Sequence, residues 1–266
     1  MCTVILGYKV HKEYPLVIIG NRDEFYNRPA RAATLWPDRR IVAGKDLAEG
    51  GTWMGASKSG RFGVITNYRD FSLIKPNCPS RGLLLREYLE GSKSFQERLL
   101  ETAQNYNPYN MIFGDLTRIH YFSSVKRDFF EVDPGIHGLS NRHLDTPWEK
   151  VTKAKAAFGQ ALEKETLDIS RLFEILSDTE KTYRNLPVNT HVPREKEYDL
   201  SSIFIDLEDY GTRHQTVVLF HRGGTVFFYE KSRFKDKWRN NFILFTLDGF
   251  SPDPHPPHQF PQNQYR

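Results

Sequence analysis

The sequence is poor in cysteine: Cys2 and Cys78 are the only two in 266 residues. Two thiols form at most one bridge, which excludes a disulfide-stapled fold, and a chain of this length can bury a sizeable core without staples. Long apolar runs are missing as well. The segment Thr3 to Tyr8 is followed at once by Lys9, His11, Lys12 and Glu13, too short for a signal core or a membrane span. A cytoplasmic chain with free thiols and no membrane span is therefore expected. Basic and acidic residues are interspersed at a net charge of +4, so no Lys/Arg stripe exists to track phosphates, and nucleic acid is not expected as a partner. Solenoid-period repeats are lacking. Neither Gly50-Gly51 nor Gly223-Gly224 is followed by the Lys-Ser/Thr of a phosphate loop. Pro254-His255-Pro256-Pro257-His258 reads as a solvated stretch, and no metal site is expected.

What is present is an ordinary apolar fraction, many aromatics and well-mixed charge, the composition of a globular chain. One domain over residues 1–250 is expected, followed by a Pro-rich tail over 251–266 that does not fold. Thr3 to Lys9 and Leu16 to Arg22 are apolar and β-branched and read as a hairpin across Val10 to Pro15. A second hairpin pairs Thr52 to Ala56 with Phe62 to Asn67 across Ser57-Lys58-Ser59-Gly60. Ser80 reads as an N-cap before Leu83, Leu84, Leu85 and Tyr88, and helical spacing recurs through Phe95, Leu99 and Leu100. Strands are expected at Asn110 to Phe113, His120 to Ser123 and Gly135 to Ser140. Thr146-Pro147-Trp148 opens a helix through Ala156 and Leu162, with the proline in its first turn, and another helix covers Ile169 to Leu176. Three last strands cover Thr216 to Arg222, Thr225 to Lys231 and Phe242 to Thr246, the first two joined at Gly223-Gly224. Strands, then helices, then strands describe an α+β layered domain.

Centring the first turn between Lys12 and Glu13 pairs Tyr8 with Val17, Leu6 with Ile19, Val4 with Asn21 and Cys2 with Asp23. Cross-strand partners hold their Cβ atoms roughly 4.5–5.5 Å apart, so Arg22 and Asp23 would flank the amino terminus once Met1 is removed, with Glu24 on the opposite face. A free α-amine titrates at about 7.7–8.0 and can take a proton from the thiol of its own residue. A neighbouring Arg favours the thiolate, and a neighbouring carboxylate orients the amine. The alternative is that Cys2 is a small buried apolar residue and Arg22-Asp23 a structural pair.

The start Met1-Cys2-Thr3-Val4-Ile5, the run Gly20-Asn21-Arg22-Asp23-Glu24-Phe25-Tyr26 with Arg28-Pro29, and Gly50-Gly51-Thr52-Trp53-Met54-Gly55 together resemble the NRDE family, also called the transport-and-Golgi-organisation family. Thr66-Asn67-Tyr68, Gly138-Leu139-Ser140-Asn141 with Thr146-Pro147-Trp148, and Tyr210-Gly211-Thr212-Arg213 extend the resemblance over nearly the whole chain before the tail. It implies a four-layer α/β/β/α sandwich of the N-terminal nucleophile (Ntn) hydrolase type. By the same resemblance Cys2, Arg22, Asp23, Asn67 and Asn141 are catalytic, the two asparagines steadying an oxyanion, while Asn21, Glu24, Trp53 and Arg213 bind substrate. His214 and Gln215 depart from the small hydroxyl residues that commonly follow Gly-Thr-Arg in the family, so contacts near Arg213 differ.

Two functions compete. The first is hydrolysis of a non-peptide amide or thioester by Cys2 through an acyl-enzyme, with no cofactor required. The second, implied by the family, is intracellular haem trafficking or a role in lipid metabolism as an acyl or lipid carrier. Haem would need Cys2 or one of His11, His120, His137, His143, His191, His214 and His221 as axial ligand. The partner is in either case a small molecule.

Overall fold

The computed structural model describes residues 2–36, 40–234 and 237–251. Four strands open the chain, β1 (Cys2–Tyr8), β2 (Leu16–Phe25), β3 (Ala30–Trp36) and β4 (Ile41–Asp46), followed by β5 (Met54–Ser57) and β6 (Phe62–Asn67). Helices α1 (Gly82–Glu90) and α2 (Phe95–Thr102) come next, then β7 (Tyr109–Gly114), β8 (Ile119–Ser123), β9 (Asp128–Glu131) and β10 (Gly135–Leu139). Helices α3 (Glu149–Leu162), α4 (Ile169–Leu176) and α5 (Arg194–Asp199) lead into β11 (Tyr210–Phe220), β12 (Thr225–Phe234) and β13 (Lys237–Thr246).

All pairings are antiparallel. One sheet runs β10-β1-β2-β11-β12-β13 and the other β3-β4-β5-β6-β7-β8-β9. Strand alternation places Leu6 and Ile18 of the first sheet against Phe62 and Ile112 of the second, forming an inter-sheet core. The outer face of the first sheet, including Ile5, Ile19 and Val217, is covered by Phe158 of α3 and Leu172 of α4. The outer face of the second, including Ile41, Ile65 and Phe113, is covered by Leu84, Leu85 and Leu89 of α1 and Leu99 of α2. The molecule is thus the expected α/β/β/α sandwich.

Several expected details differ. The first hairpin pairs Tyr8 with Leu16, Leu6 with Ile18, Val4 with Gly20 and Cys2 with Arg22, one residue out of the expected register. The cause lies in the turn, where His11 Nδ1 accepts from the backbone N–H groups of Glu13 and Tyr14 at 3.1 and 3.2 Å. Lys9 N–H closes the turn on the Pro15 carbonyl at 2.7 Å. A one-residue slip exchanges the faces of a strand. Cys2 therefore faces Arg22, not Asp23, and Glu24 shares their face instead of opposing it.

Ser80 is not the N-cap of α1. Arg81 holds that position, and the Ser80 carbonyl accepts from Leu83 N–H at 3.2 Å. Pro147 likewise lies just outside α3, whose cap is Trp148. β11 begins six residues before the expected strand, so Arg213 lies inside a strand, and β13 begins five residues early. β3, β4, β9 and α5 are additional elements. The Pro-rich tail lies, from residue 252 onward, outside the described residues.

Candidate functional site

Cys2 is half-buried at the open end of β1, on the face that looks between the sheets. It lines a cavity of about 250 Å³ together with Arg22, Asp23, Glu24, Trp53 and Asn67. Arg28, Asp46, Cys78 and Arg81 complete its charged and sulfur-bearing wall. Both cysteines are free, so the two thiols share one cavity.

Asp46, the last residue of β4, organises the cationic side. Its Oδ2 accepts from Arg22 Nη2 at 2.9 Å and Arg28 Nε at 2.7 Å. Its Oδ1 accepts from Arg28 Nη2 at 3.3 Å and from the N–H groups of Ala48 and Glu49 at 3.0 and 3.1 Å. Burial raises the Asp46 pKa, but the bonds and charges of Arg28 and Arg22 outweigh it and leave the carboxyl below its usual range. Glu24 lies 3.7 Å from both guanidinium groups. Arg22 stacks on Trp53, its Cζ 4.4 Å from the ring centroid. Gly44 lets the indole lie there, since a Cβ on it would come within 2.3 Å of the ring.

The Cys2 thiol is raised above its ordinary pKa, first by burial, against the lowering influence of the amino-terminal charge, the Asp23 N–H and Arg22; the Asp23 carboxylate adds to the rise. Asp23 occupies the other face of β2, where its Oδ1 accepts from Thr212 Oγ1 at 2.7 Å. Burial raises its carboxyl too, while the amino-terminal charge, Lys150, the Thr212 bond and Arg69 pull it down. Lys150 donates to the Leu200 and Ser202 carbonyls at 2.8 and 3.4 Å. Burial and the nearby Arg69 charge bring it down to about 8.

Asn67 ends β6 at the cavity wall, and Asn141 holds it there. Asn141 is fully buried, takes a left-handed φ of 51°, and donates from Nδ2 to the Asn67 carbonyl at 3.0 Å. Arg69 in turn holds Asn141: its Nη2 donates to Oδ1 at 3.3 Å and its N–H to the Asn141 carbonyl at 2.7 Å. Arg69 also pairs with Glu197, each 2% exposed. Asn141 does not line the cavity, and its amide is committed to the backbone of Asn67.

Two expected substrate contacts lie elsewhere. Asn21 turns to the helical layer and donates to the Leu176 and Ile203 carbonyls at 2.8 and 2.9 Å. Arg213 donates to the Phe25 carbonyl at 3.2 Å and to the Arg28 carbonyl, fixing the β2–β3 connection from which Arg28 reaches the site. None of the seven candidate histidines lines the cavity. His214 is fully buried against Trp53, 4.6 Å between centroids, and His137 is bonded to Asp145 at 2.7 Å. Among the described residues no cluster of three or more His, Cys, Asp or Glu side chains is arranged to hold a metal, and no helix is long and apolar enough to cross a membrane.

Sequence reasoning missed Arg28, Asp46 and Arg81 as site residues. Arg28 stands in the Arg28-Pro29 signature, but Asp46 and Arg81 come from other elements. Arg81 reaches the cavity because α1 starts against the loop after β4. Thr52 N–H donates to the Gly82 carbonyl at 3.1 Å, and a Cβ on Gly51 would lie 2.4 Å from the Gly82 carbonyl carbon. The glycines on both sides of that contact were its visible signal.

Residues 1–235 match the family described as Transport and Golgi organisation 2. The Transport and Golgi organization 2 homolog of Mus musculus is 32% identical over 262 residues, covering 88% of this chain and 93% of that protein. The Drosophila melanogaster Transport and Golgi organization protein 2 is 27% identical over 249 residues, covering 82% and 86%. Among solved structures, a mutant conjugated bile acid hydrolase from Clostridium perfringens superposes with a TM-score of 0.49 at 10% identity, covering 96% of this chain and 99% of that one. A likeness of that size carries no inference about activity.

Proposed function

The chain belongs to the Transport and Golgi organisation 2 family, and from that premise we propose that it hydrolyses a small, polar, non-peptide amide or a thioester with Cys2 as nucleophile. The observation that carries the reading is the placement of Cys2 at the amino end of β1, its thiol in the wall of a cavity beside Arg22 and Asn67. Removal of Met1 would put an α-amine on the residue that bears the thiol. An amine with a reference pKa of about 7.7–8.0 is partly neutral near pH 7 and takes the thiol proton as sulfur attacks the carbonyl carbon.

The tetrahedral oxyanion needs fixed donors at the cavity wall, and Asn67, held from behind by Asn141, is placed to supply one. Collapse expels the amine or thiol, which takes the proton from the ammonium, and leaves a thioester on Cys2. Water, deprotonated by the same amine, then attacks the thioester carbonyl and regenerates the thiol. Arg22, held by Asp46 and Trp53, would orient the sulfur, and the charge of Asp23, next to Arg22 on β2, would raise the basicity of the amine.

The test uses the full chain with p-nitrophenyl acetate as acyl donor. The purified protein should have the mass expected for loss of Met1, and it should show a transient acetyl adduct on Cys2 with catalytic release of nitrophenolate. Cys2→Ala should lose both the adduct and the turnover; turnover at the parent rate in Cys2→Ala rules the reading out. Haem carriage has less behind it, because every candidate histidine stands away from the cavity and only the thiols of Cys2 and Cys78 could serve there as axial ligand. A stable adduct without turnover would instead favour acyl carriage.

A further inference from the structure

The cavity wall holds three guanidinium groups with unequal commitments. Arg22 and Arg28 are bonded to Asp46 and lie 3.7 Å from Glu24. Arg81 has no carboxylate within 4.0 Å among the described residues, and its side chain donates from Nη1 to the Pro108 carbonyl at 3.0 Å. Its charge acts on Glu24, Cys2 and Cys78, which all border the same cavity. Arg22 adds an independent sign of an absent acceptor, because its Nη1 is buried and has no partner. A small oxygen anion in this cavity would meet a cation that no carboxylate of the described residues contacts directly, Glu24 acting on it only at longer range.

The remaining wall limits what that anion is. Glu24, Asp46 and Glu49 also face the cavity, and they repel a polyanion such as a nucleotide polyphosphate. A volume of about 250 Å³ lies just under the roughly 300–1,000 Å³ of drug-sized ligand pockets and suits only a small molecule. One guanidinium without a paired carboxylate, its Nη1 already donating to the Pro108 carbonyl, matches one planar carboxylate, which it can engage through its remaining N–H groups. We propose that the substrate is an amide or thioester carrying a single carboxylate, and that Arg81 is the residue that recognises it. This inference rests on Cys2 being the nucleophile.

Two alkylating reagents of nearly the same size test it: iodoacetate carries the carboxylate and iodoacetamide does not. In a Cys78→Ser background Cys2 is the only thiol, so intact mass follows its modification by each reagent. The ratio of the two rates cancels changes in thiolate fraction, which affect both reagents alike, and reads the recognition of the charge. The ratio at Cys2 is expected to exceed that of a short Cys-containing peptide and to fall about tenfold in Arg81→Gln, the scale of one charge-assisted hydrogen bond. Arg81→Lys, which keeps the charge but not the fork, should keep part of the preference, between the parent and Arg81→Gln, and decides the matter if Arg81→Gln fails to fold. A ratio that is the same in parent, Arg81→Gln and Arg81→Lys overturns the inference and leaves the nucleophile standing. Failure of both reagents to modify Cys2 in the parent overturns the nucleophile reading, and the inference with it.

Discussion

The end of the β1–β2 hairpin carries charge on both faces, and the two faces are built on different plans. On the cavity face, Arg22, Glu24, Arg28 and Asp46 form a partly exposed network around a thiol. On the helical face, Asp23, Lys150, Arg69 and Glu197 are all at most 5% exposed and touch the cavity only through Asp23. A sealed charge must be neutralised by the protein itself, because burying an ion without a partner is costly. An open charge can be left for a ligand. The contrast separates the groups that hold the site together from the groups that use it, and each can be perturbed alone.

The largest expected effect is on the sealed face. Glu197→Ala leaves Arg69 buried without its counter-ion and removes the acceptor of the 2.5 Å bond from Thr190 Oγ1. It should cost about 3–5 kcal/mol of stability, measured as a lowered urea midpoint with an unchanged slope. A cost like that of a surface pair would mean that the two faces do not differ in kind.

A smaller effect is expected behind the cavity face, between the sheets. Glu230 is buried, accepts from Ala33 N–H and Ser232 Oγ at 2.7 and 2.8 Å, and burial pushes its carboxyl up to about 7. An unfolded glutamate releases its proton near pH 4.3. Between about pH 4.3 and 7 the folded chain therefore holds a proton that the unfolded chain has lost, and stability falls as pH rises, by roughly 3 kcal/mol between about pH 5 and 8. Glu230→Gln should remove that slope. Urea unfolding at about pH 5 and about pH 8 measures it, and parallel losses in both proteins would place the slope elsewhere.

The smallest effect joins the two faces. Asp23→Asn removes a negative charge near the amino terminus, so the α-amine becomes less basic. The acid limb of kcat/KM should move to lower pH by about one unit. An unmoved limb would separate Asp23 from the base.

The hairpin that carries Cys2 was legible because its apolar, β-branched runs from Thr3 to Tyr8 and from Leu16 to Ile19 are bounded by a polar turn. Its register was not, because a side chain, His11, rather than the strand pattern sets the turn. That single residue decided which of Arg22 and Asp23 faces the thiol. β3 was not legible because Arg31 and Thr34 dilute its alternation with short alanines, and its register shifts between Arg31 and Thr34. The four-layer order could be anticipated from strand and helix blocks together with the family resemblance. Asp46 and Arg81 could not, because a contact between Gly51 and Gly82 records no periodicity. Asn21 and Arg213 stand in recognisable motifs, but both spend their donors on backbone carbonyls, and a motif does not say which way a side chain turns.

Trp53 lies between the Arg22 guanidinium at 4.4 Å and the His214 ring at 4.6 Å, with its own edge in the cavity wall. An indole clamped between a cation and a neutral imidazole has an emission set by both neighbours. Any ligand that draws Arg22 toward itself changes the quenching and the colour of that light. Trp53, one of four tryptophans in the chain, is thus expected to report occupancy without a label, its share isolated as the difference from a Trp53→Phe chain.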